Sequence, residues 1–170
     1  KVNTQLVGAY NIDNVLAAVL VGLCFKVPLS AIDHALQHYA PHNNRSEYRK
    51  TEHNSLIIDA YNANLSSMHA ALHSFAQTED AHKMMILGDM RELGEVSEAE
   101  HQKVVDQLRK EGFDEVWLVG EEFAKTTTAY RKFNNVDEVK AALQAHRLQG
   151  YYILIKGSNG IGLFRLPELL

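Results

Sequence analysis

A single cysteine, Cys24, stands in 170 residues, so no disulfide can close within the chain. That excludes a disulfide-framed secreted scaffold and points to a reducing compartment. Long apolar runs are missing too: no window approaches ~18 uninterrupted apolar residues, and no basic stretch leads into a signal-type core. A cytoplasmic protein with no membrane partner is therefore expected. Positive charge is scattered. The formal net charge is -4, and cations gather no further than pairs such as Arg49 and Lys50, which argues against nucleic acid as the main partner. Two catalytic spellings are also absent, the Gly-x-Ser-x-Gly elbow and the Gly-Lys-Ser/Thr phosphate loop. If a nucleotide is bound, another segment must hold its phosphates.

What is present reads as one globular domain, or one domain with a short attached piece of another. A chain this long buries roughly 70% of its unfolded surface and needs no metal to hold its core. The first forty residues are helical in pattern. Ile12, Val15, Leu16, Val19, Leu20 and Leu23 recur at helical spacing among small residues, which predicts a helix over 11–25 packed on several sides. Ile32, Ala35, Leu36 and Tyr39 form the stripe of a second helix that Pro41 stops. Residues 41–46 are loop formers without periodicity and mark the natural boundary.

Beyond that boundary short apolar runs at 55–59, 83–87, 115–119 and 151–155 predict buried strands, with a further short one at 130–133. Helical segments are expected over 66–77, 97–111, 121–130, 136–146 and 161–169, the second opening on a Ser97/Glu100 capping box. Strand and helix alternate, so the expected fold is α/β, a mainly parallel sheet with helices on both faces. Ligands of such sheets sit at the carboxyl ends of strands, which directs attention to the residues after each one.

Those residues are polar or glycine. The first strand runs into Asp59-Ala-Tyr-Asn-Ala-Asn64, a carboxylate at a strand tip followed by two asparagines ahead of a helix. Asp59 suits ribose hydroxyls or braces its loop, and Asn64 suits a helix cap. The second strand runs into Gly88-Asp-Met-Arg-Glu-Leu-Gly94. The last runs into Lys156-Gly-Ser-Asn-Gly160, a turn able to offer backbone N–H groups and an ammonium to an anion. The pairs His34/His38 and His69/His73 have the one-turn spacing of metal ligands but no third ligand in sequence, so solvated helix faces are expected and no metal site.

In this order the motifs resemble the Mur ligases of peptidoglycan synthesis. Gly8-Ala-Tyr-Asn-Ile-Asp-Asn-Val-Leu-Ala-Ala18 resembles the family's Gly-x-His-Asn-x-x-Asn-x-x-Ala-Ala helix, and Asn44-Arg-Ser46 its Asn-x-Arg entry to the C-terminal domain. Asp59 to Asn64 is similar to Asp-Ser-Tyr-Asn-Ala-Asn-Pro, Leu87 to Gly94 to Leu-Gly-Asp-Met-x-Glu-Leu-Gly, and Lys156-Gly-Ser158 to Lys-Gly-Ser-Arg. The Tyr61-Asn-Ala-Asn64 and Gly88-Asp-Met-Arg-Glu-Leu-Gly94 spellings resemble those of the branch that joins D-Ala-D-Ala to UDP-N-acetylmuramoyl-tripeptide.

The resemblance implies an ATP-dependent ligase working through an acyl phosphate, with ATP and Mg2+ as cofactors, the tripeptide and dipeptide as substrates, and a monomeric state. It divides the chain into terminal helices of a central ATPase domain, 1–43, and a Rossmann-like C-terminal domain, 44–170. A part of a longer enzyme, inactive alone, is therefore expected. It implies adenine contacts for Asn11 and Asn14, ATP phosphates for Arg45 and ribose for Asp59. It also implies substrate contacts for Tyr61, Asn62, Asn64, Lys156, Ser158 and Asn159. Tyr10, Leu65 and Asn159 stand where the family has His, Pro and Arg. Another amino-acid ligase of folylpolyglutamate type and a non-catalytic nucleotide-sensing module are the alternative readings.

Overall fold

The computed structural model describes residues 2–80, 82–113 and 115–170. Lys1, which opens the expected helical piece, lies outside them. Two helices come first, α1 (Ile12–Cys24) and α2 (Leu29–His38). Then follow β1 (Glu47–Lys50), β2 (Ser55–Asp59), α3 (Leu65–Ala76), β3 (Lys83–Gly88) and α4 (Ser97–Glu111). The chain ends with β4 (Val116–Val119), α5 (Glu121–Lys125), β5 (Arg131–Phe133), α6 (Val136–Ala145) and β6 (Tyr152–Lys156). The sheet order is β1-β2-β6-β3-β4-β5, parallel throughout except for the antiparallel edge pair β1–β2.

Alternation along each strand sends side chains to two layers. Leu56, Ile58, Met84, Ile86, Ile153 and Ile155 face α6 and the C-terminal turns. Ile57, Met85, Leu87, Leu118 and Leu154 face α3, α4 and Phe123 of α5. Both faces are therefore covered, as the unbroken apolar strands require. The central position of β6 has a consequence for the site. It places Lys156 in register with Asp59 on one side and Leu87 on the other, although ninety-seven positions separate Lys156 from Asp59.

Several expectations are corrected. The segment 161–169 is not one helix but single 3-10 turns, because Gly162 sits in the left-handed region at φ 79° and Pro167 begins a fresh turn. The helix after β4 stops at Lys125, where Thr126 Oγ1 donates to the Phe123 carbonyl. The Ser97/Glu100 capping box does not form: Val96 occupies the cap, Ser97 is already helical, and Glu100 pairs with Lys103. The capping box is instead at α3, where Asn64 Oδ1 accepts from Ser67 N and Ser67 Oγ answers Asn64 N. The helix expected to be packed on several sides, α1, has no buried residue, and Leu16, Leu20 and Val21 are exposed.

Candidate functional site

A cleft of about 620 Å3 opens where the helical piece meets the carboxyl ends of β2 and β6. One wall is Tyr10, Asn11, Asn14, Val15 and Ala18, joined by Leu36 of α2 and by Tyr39 just past its end. The facing wall is Arg45, Asp59, Tyr61, Asn62, Asn64 and Lys156. Residues separated by well over a hundred positions thus meet at one opening.

The bend that presents Arg45 is local. Asn44 and Ser46 both have positive φ, 58° and 50°, so the chain reverses sharply on either side of the arginine. The Arg45 guanidinium carbon lies 3.8 Å from the centre of the Tyr61 ring. Among the described residues no carboxylate pairs with it, and its planar donors remain available for an anion. The Tyr10 hydroxyl meets Ser46 Oγ at 3.1 Å and ties the helical piece to this bend. Burial pushes the Tyr10 hydroxyl above its ordinary pKa; the Ser46 bond opposes that shift and the nearby Asp59 charge adds to it.

The asparagines are differently committed. Asn11 is buried, donates from Nδ2 to the Val7 carbonyl and accepts at Oδ1 from Asn14 Nδ2. Asn14 is exposed and keeps its own amide oxygen for the cleft. Asn64 spends Oδ1 on Ser66 and Ser67 at the head of α3. Asp59 takes the Lys156 ammonium on Oδ2 at 2.6 Å, and that lysine is 1% exposed.

Ser158 and Asn159 do not join this cleft. Buried Ser158 is a strut between strand tips: its N donates to the Asp89 carbonyl, and its Oγ accepts from Arg91 N. That braces the loop after β3 beside a second cleft of about 740 Å3, which the loop after β4 also lines. Asp89 fixes the same region, accepting from Glu122 N and Phe123 N at the head of α5. Behind it the fully buried His101 accepts from Met90 N at Nε2. His101 and Ser46 were missed in the sequence. For His101 the only signal is its one-turn offset from Ser97, whose carbonyl lies 2.7 Å from His101 Nδ1.

Comparison with known proteins places this architecture. Residues 44–159 match the family model described as Mur ligase, glutamate ligase domain. The UDP-N-acetylmuramoyl-tripeptide–D-alanyl-D-alanine ligase of Escherichia coli is 31% identical over 97% of this chain and 38% of its own length. A crystal structure of MurF from Acinetobacter baumannii superposes with a TM-score of 0.80 at 28% identity, over 97% of this chain and 38% of that one. The MurF ligase structure from Thermotoga maritima, solved with ADP, shares the fold at a TM-score of 0.80 and 19% identity, over 96% of this chain and 38% of that one. The chain spans well under half the length of the curated relatives it matches, for example 39% of that from Treponema pallidum and 26% of that from Borreliella burgdorferi. Through the domain at residues 44–159, this chain belongs to the Mur ligase family.

Proposed function

We propose that the protein carrying this chain is a cytoplasmic ATP-dependent ligase that joins D-Ala-D-Ala to UDP-N-acetylmuramoyl-tripeptide. In this reading residues 1–43 close a central ATPase domain and 44–170 form the domain that folds over it. The observation that carries the reading is the cleft lined by Arg45, which pairs with no carboxylate among the described residues, by Asp59, whose Oδ2 alone is taken by Lys156, and by the amide of Asn14. A cation, a hydrogen-bond acceptor and an amide at one opening suit phosphate, ribose and adenine respectively. The Thermotoga maritima MurF structure was solved with ADP, which accords with a nucleotide as ligand.

The chemistry follows from the two substrates. The γ-phosphoryl group of ATP passes to the tripeptide carboxylate, leaving ADP and an acyl phosphate. The amine of the dipeptide attacks the acyl carbon, a tetrahedral intermediate forms, and inorganic phosphate leaves as the amide bond closes. Arg45 neutralises charge developing on the phosphoryl oxygens. Asp59 holds the ribose in ground and transition states alike. Closure over the intermediate excludes the water that would hydrolyse it. Magnesium would supply positive charge to the ATP phosphates, but the residues present do not fit it: among the described residues no three His, Cys, Asp or Glu side chains could hold a metal ion. Its ligands and the phosphate loop are assigned to the remaining length that the relatives have.

The test is an acceptor screen with the full-length protein, ATP and the UDP-linked tripeptide. D-Ala-D-Ala is expected to drive release of ADP and phosphate with formation of the extended peptide. Turnover only with single amino acids would assign the chain to another branch of the superfamily. A full-length protein whose turnover is unaffected by Arg45→Ala and Asp59→Ala would make this domain a non-catalytic module.

A further inference from the structure

Lys156 stands opposite Asp59 in the parallel register of β2 and β6, and its ammonium donates to Asp59 Oδ2 at 2.6 Å and to the Asn62 carbonyl at 3.5 Å. A lysine buried this completely is held in place by its partners, since an unpaired buried charge is strongly disfavoured. Turning the ammonium toward a ligand would strand Asp59 without a cation. The backbone cannot swing it out either: a Cβ on the neighbouring Gly157 would stand 2.9 Å from Gly88 Cα, so the tips of β6 and β3 are in close contact. Asp59 Oδ1, by contrast, accepts no hydrogen bond among the described residues, and Asp59 lines the cleft. Lys156 lines the same cleft, but it is 1% exposed and its ammonium is committed to Oδ2, which leaves Oδ1 as the carboxylate oxygen open to a ligand.

We infer that Lys156 is a positioning residue for the nucleotide side of the cleft, fixing Asp59 so that Oδ1 meets a ribose hydroxyl, and that it touches neither the phosphates nor the amine acceptor. This rests on the ribose role proposed for Asp59. It reassigns the ammonium that the strand-end motif offered to an anion. It also couples the loop to the strand, because the same ammonium holds the carbonyl of Asn62 between Tyr61 and Ala63. Lys156 therefore sets how well the site reads the sugar and leaves the dipeptide site alone.

The experiment uses the full-length protein with Lys156→Met, Asp59→Asn and the double variant. Titration calorimetry gives Kd for ATP, 2′-deoxyATP and 3′-deoxyATP, and steady-state rates give the KM of the dipeptide. The parent is expected to prefer ATP over at least one deoxynucleotide, and Asp59→Asn to erase that preference. Lys156→Met is expected to shrink it by about tenfold while the dipeptide KM stays within about twofold. The double variant is expected to match Asp59→Asn, since a residue acting through another adds nothing once that one is gone. It leaves no unpaired charge buried, so it reads the outcome even where Lys156→Met does not fold.

A raised dipeptide KM in Lys156→Met, or a loss in the double variant beyond Asp59→Asn, would overturn the inference by showing direct contact with substrate. An intact sugar preference in Lys156→Met, with that preference erased in Asp59→Asn, overturns it while the ribose role of Asp59 survives. A parent without sugar preference, or Asp59→Asn that keeps it, removes the ribose role and the positioning role together.

Discussion

Arg45 rests its guanidinium on the face of Tyr61, 3.8 Å from the ring centre, with no carboxylate paired to it among the described residues. A cation on a partly exposed aromatic ring gains only about 0.5–1 kcal/mol, whereas an arginine that meets developing phosphoryl charge contributes on the order of 10³-fold or more in rate. The weak contact holds the side chain near its place, and the stronger one can take it over.

Arg45→Ala in the full-length protein is therefore expected to lower the single-turnover rate by about 10³-fold while weakening ATP binding far less. Tyr61→Leu is expected to cost under about tenfold, in line with the small stacking energy. Rapid-quench measurement of ADP formation separates the two. An unchanged single-turnover rate in Arg45→Ala would sink the assignment.

Asn64→Ala tests whether this asparagine caps a helix or binds substrate. Its Oδ1 already accepts from Ser66 Oγ and Ser67 N, both at 2.9 Å. The loss of the cap is expected to cost about 1 kcal/mol of stability with the dipeptide KM unchanged. Urea unfolding of the variant and steady-state kinetics decide it: a raised KM at parental stability would assign Asn64 to substrate instead.

The strands were readable because they are unbroken apolar runs, and a run such as Leu56-Ile-Ile58 buried on both faces has no other use in a parallel sheet. The first strand was not. Glu47-Tyr-Arg-Lys50 is charged along an exposed edge, which is how edges avoid pairing with other chains and also why no apolar pattern marks it. Asp59 could be singled out from its place at a strand tip, and Arg45 through the resemblance of Asn44-Arg-Ser46 to the family's entry to its C-terminal domain. The partner of Asp59 could not, since strand–helix alternation does not dictate that β6 inserts between β2 and β3. The commitment of Asn11 to Val7 and Asn14 was hidden for the same reason: a motif specifies residue types, not which of their hydrogen bonds are already made.

These 170 residues alone are expected to fold but to show no phosphate release with Mg-ATP and D-Ala-D-Ala. Both sheet faces are covered by helices and turns of the chain itself, and the sequence contains no Gly-Lys-Ser/Thr loop. Calorimetry with Mg-ATP should give no micromolar binding, because Arg45 and Asp59 form only one side of a nucleotide site. Turnover above a control without protein would place the whole active site on this chain.

Asp89 gives the fold a pH dependence of definite sign. Burial raises its pKa, against the lowering effect of the N–H groups of Glu122 and Phe123 and of the nearby His101. A carboxyl whose folded pKa is raised holds its proton to higher pH in the native state than in the unfolded chain. Its contribution to stability is therefore present at low pH and is lost as pH rises from the ordinary carboxylate range through the raised value. Asp89→Asn removes that titration, so the difference in unfolding free energy between parent and variant should shift against the parent across this window. At neutral pH the variant is still expected to be less stable by about 1–3 kcal/mol, because an amide nitrogen cannot accept one of the two N–H groups that the carboxylate oxygens now satisfy. Urea unfolding of both proteins at a series of pH values reads both effects. A parent that instead gains stability relative to Asp89→Asn as pH rises through the window would mean that the N–H groups outweigh burial and hold the carboxyl below its ordinary range.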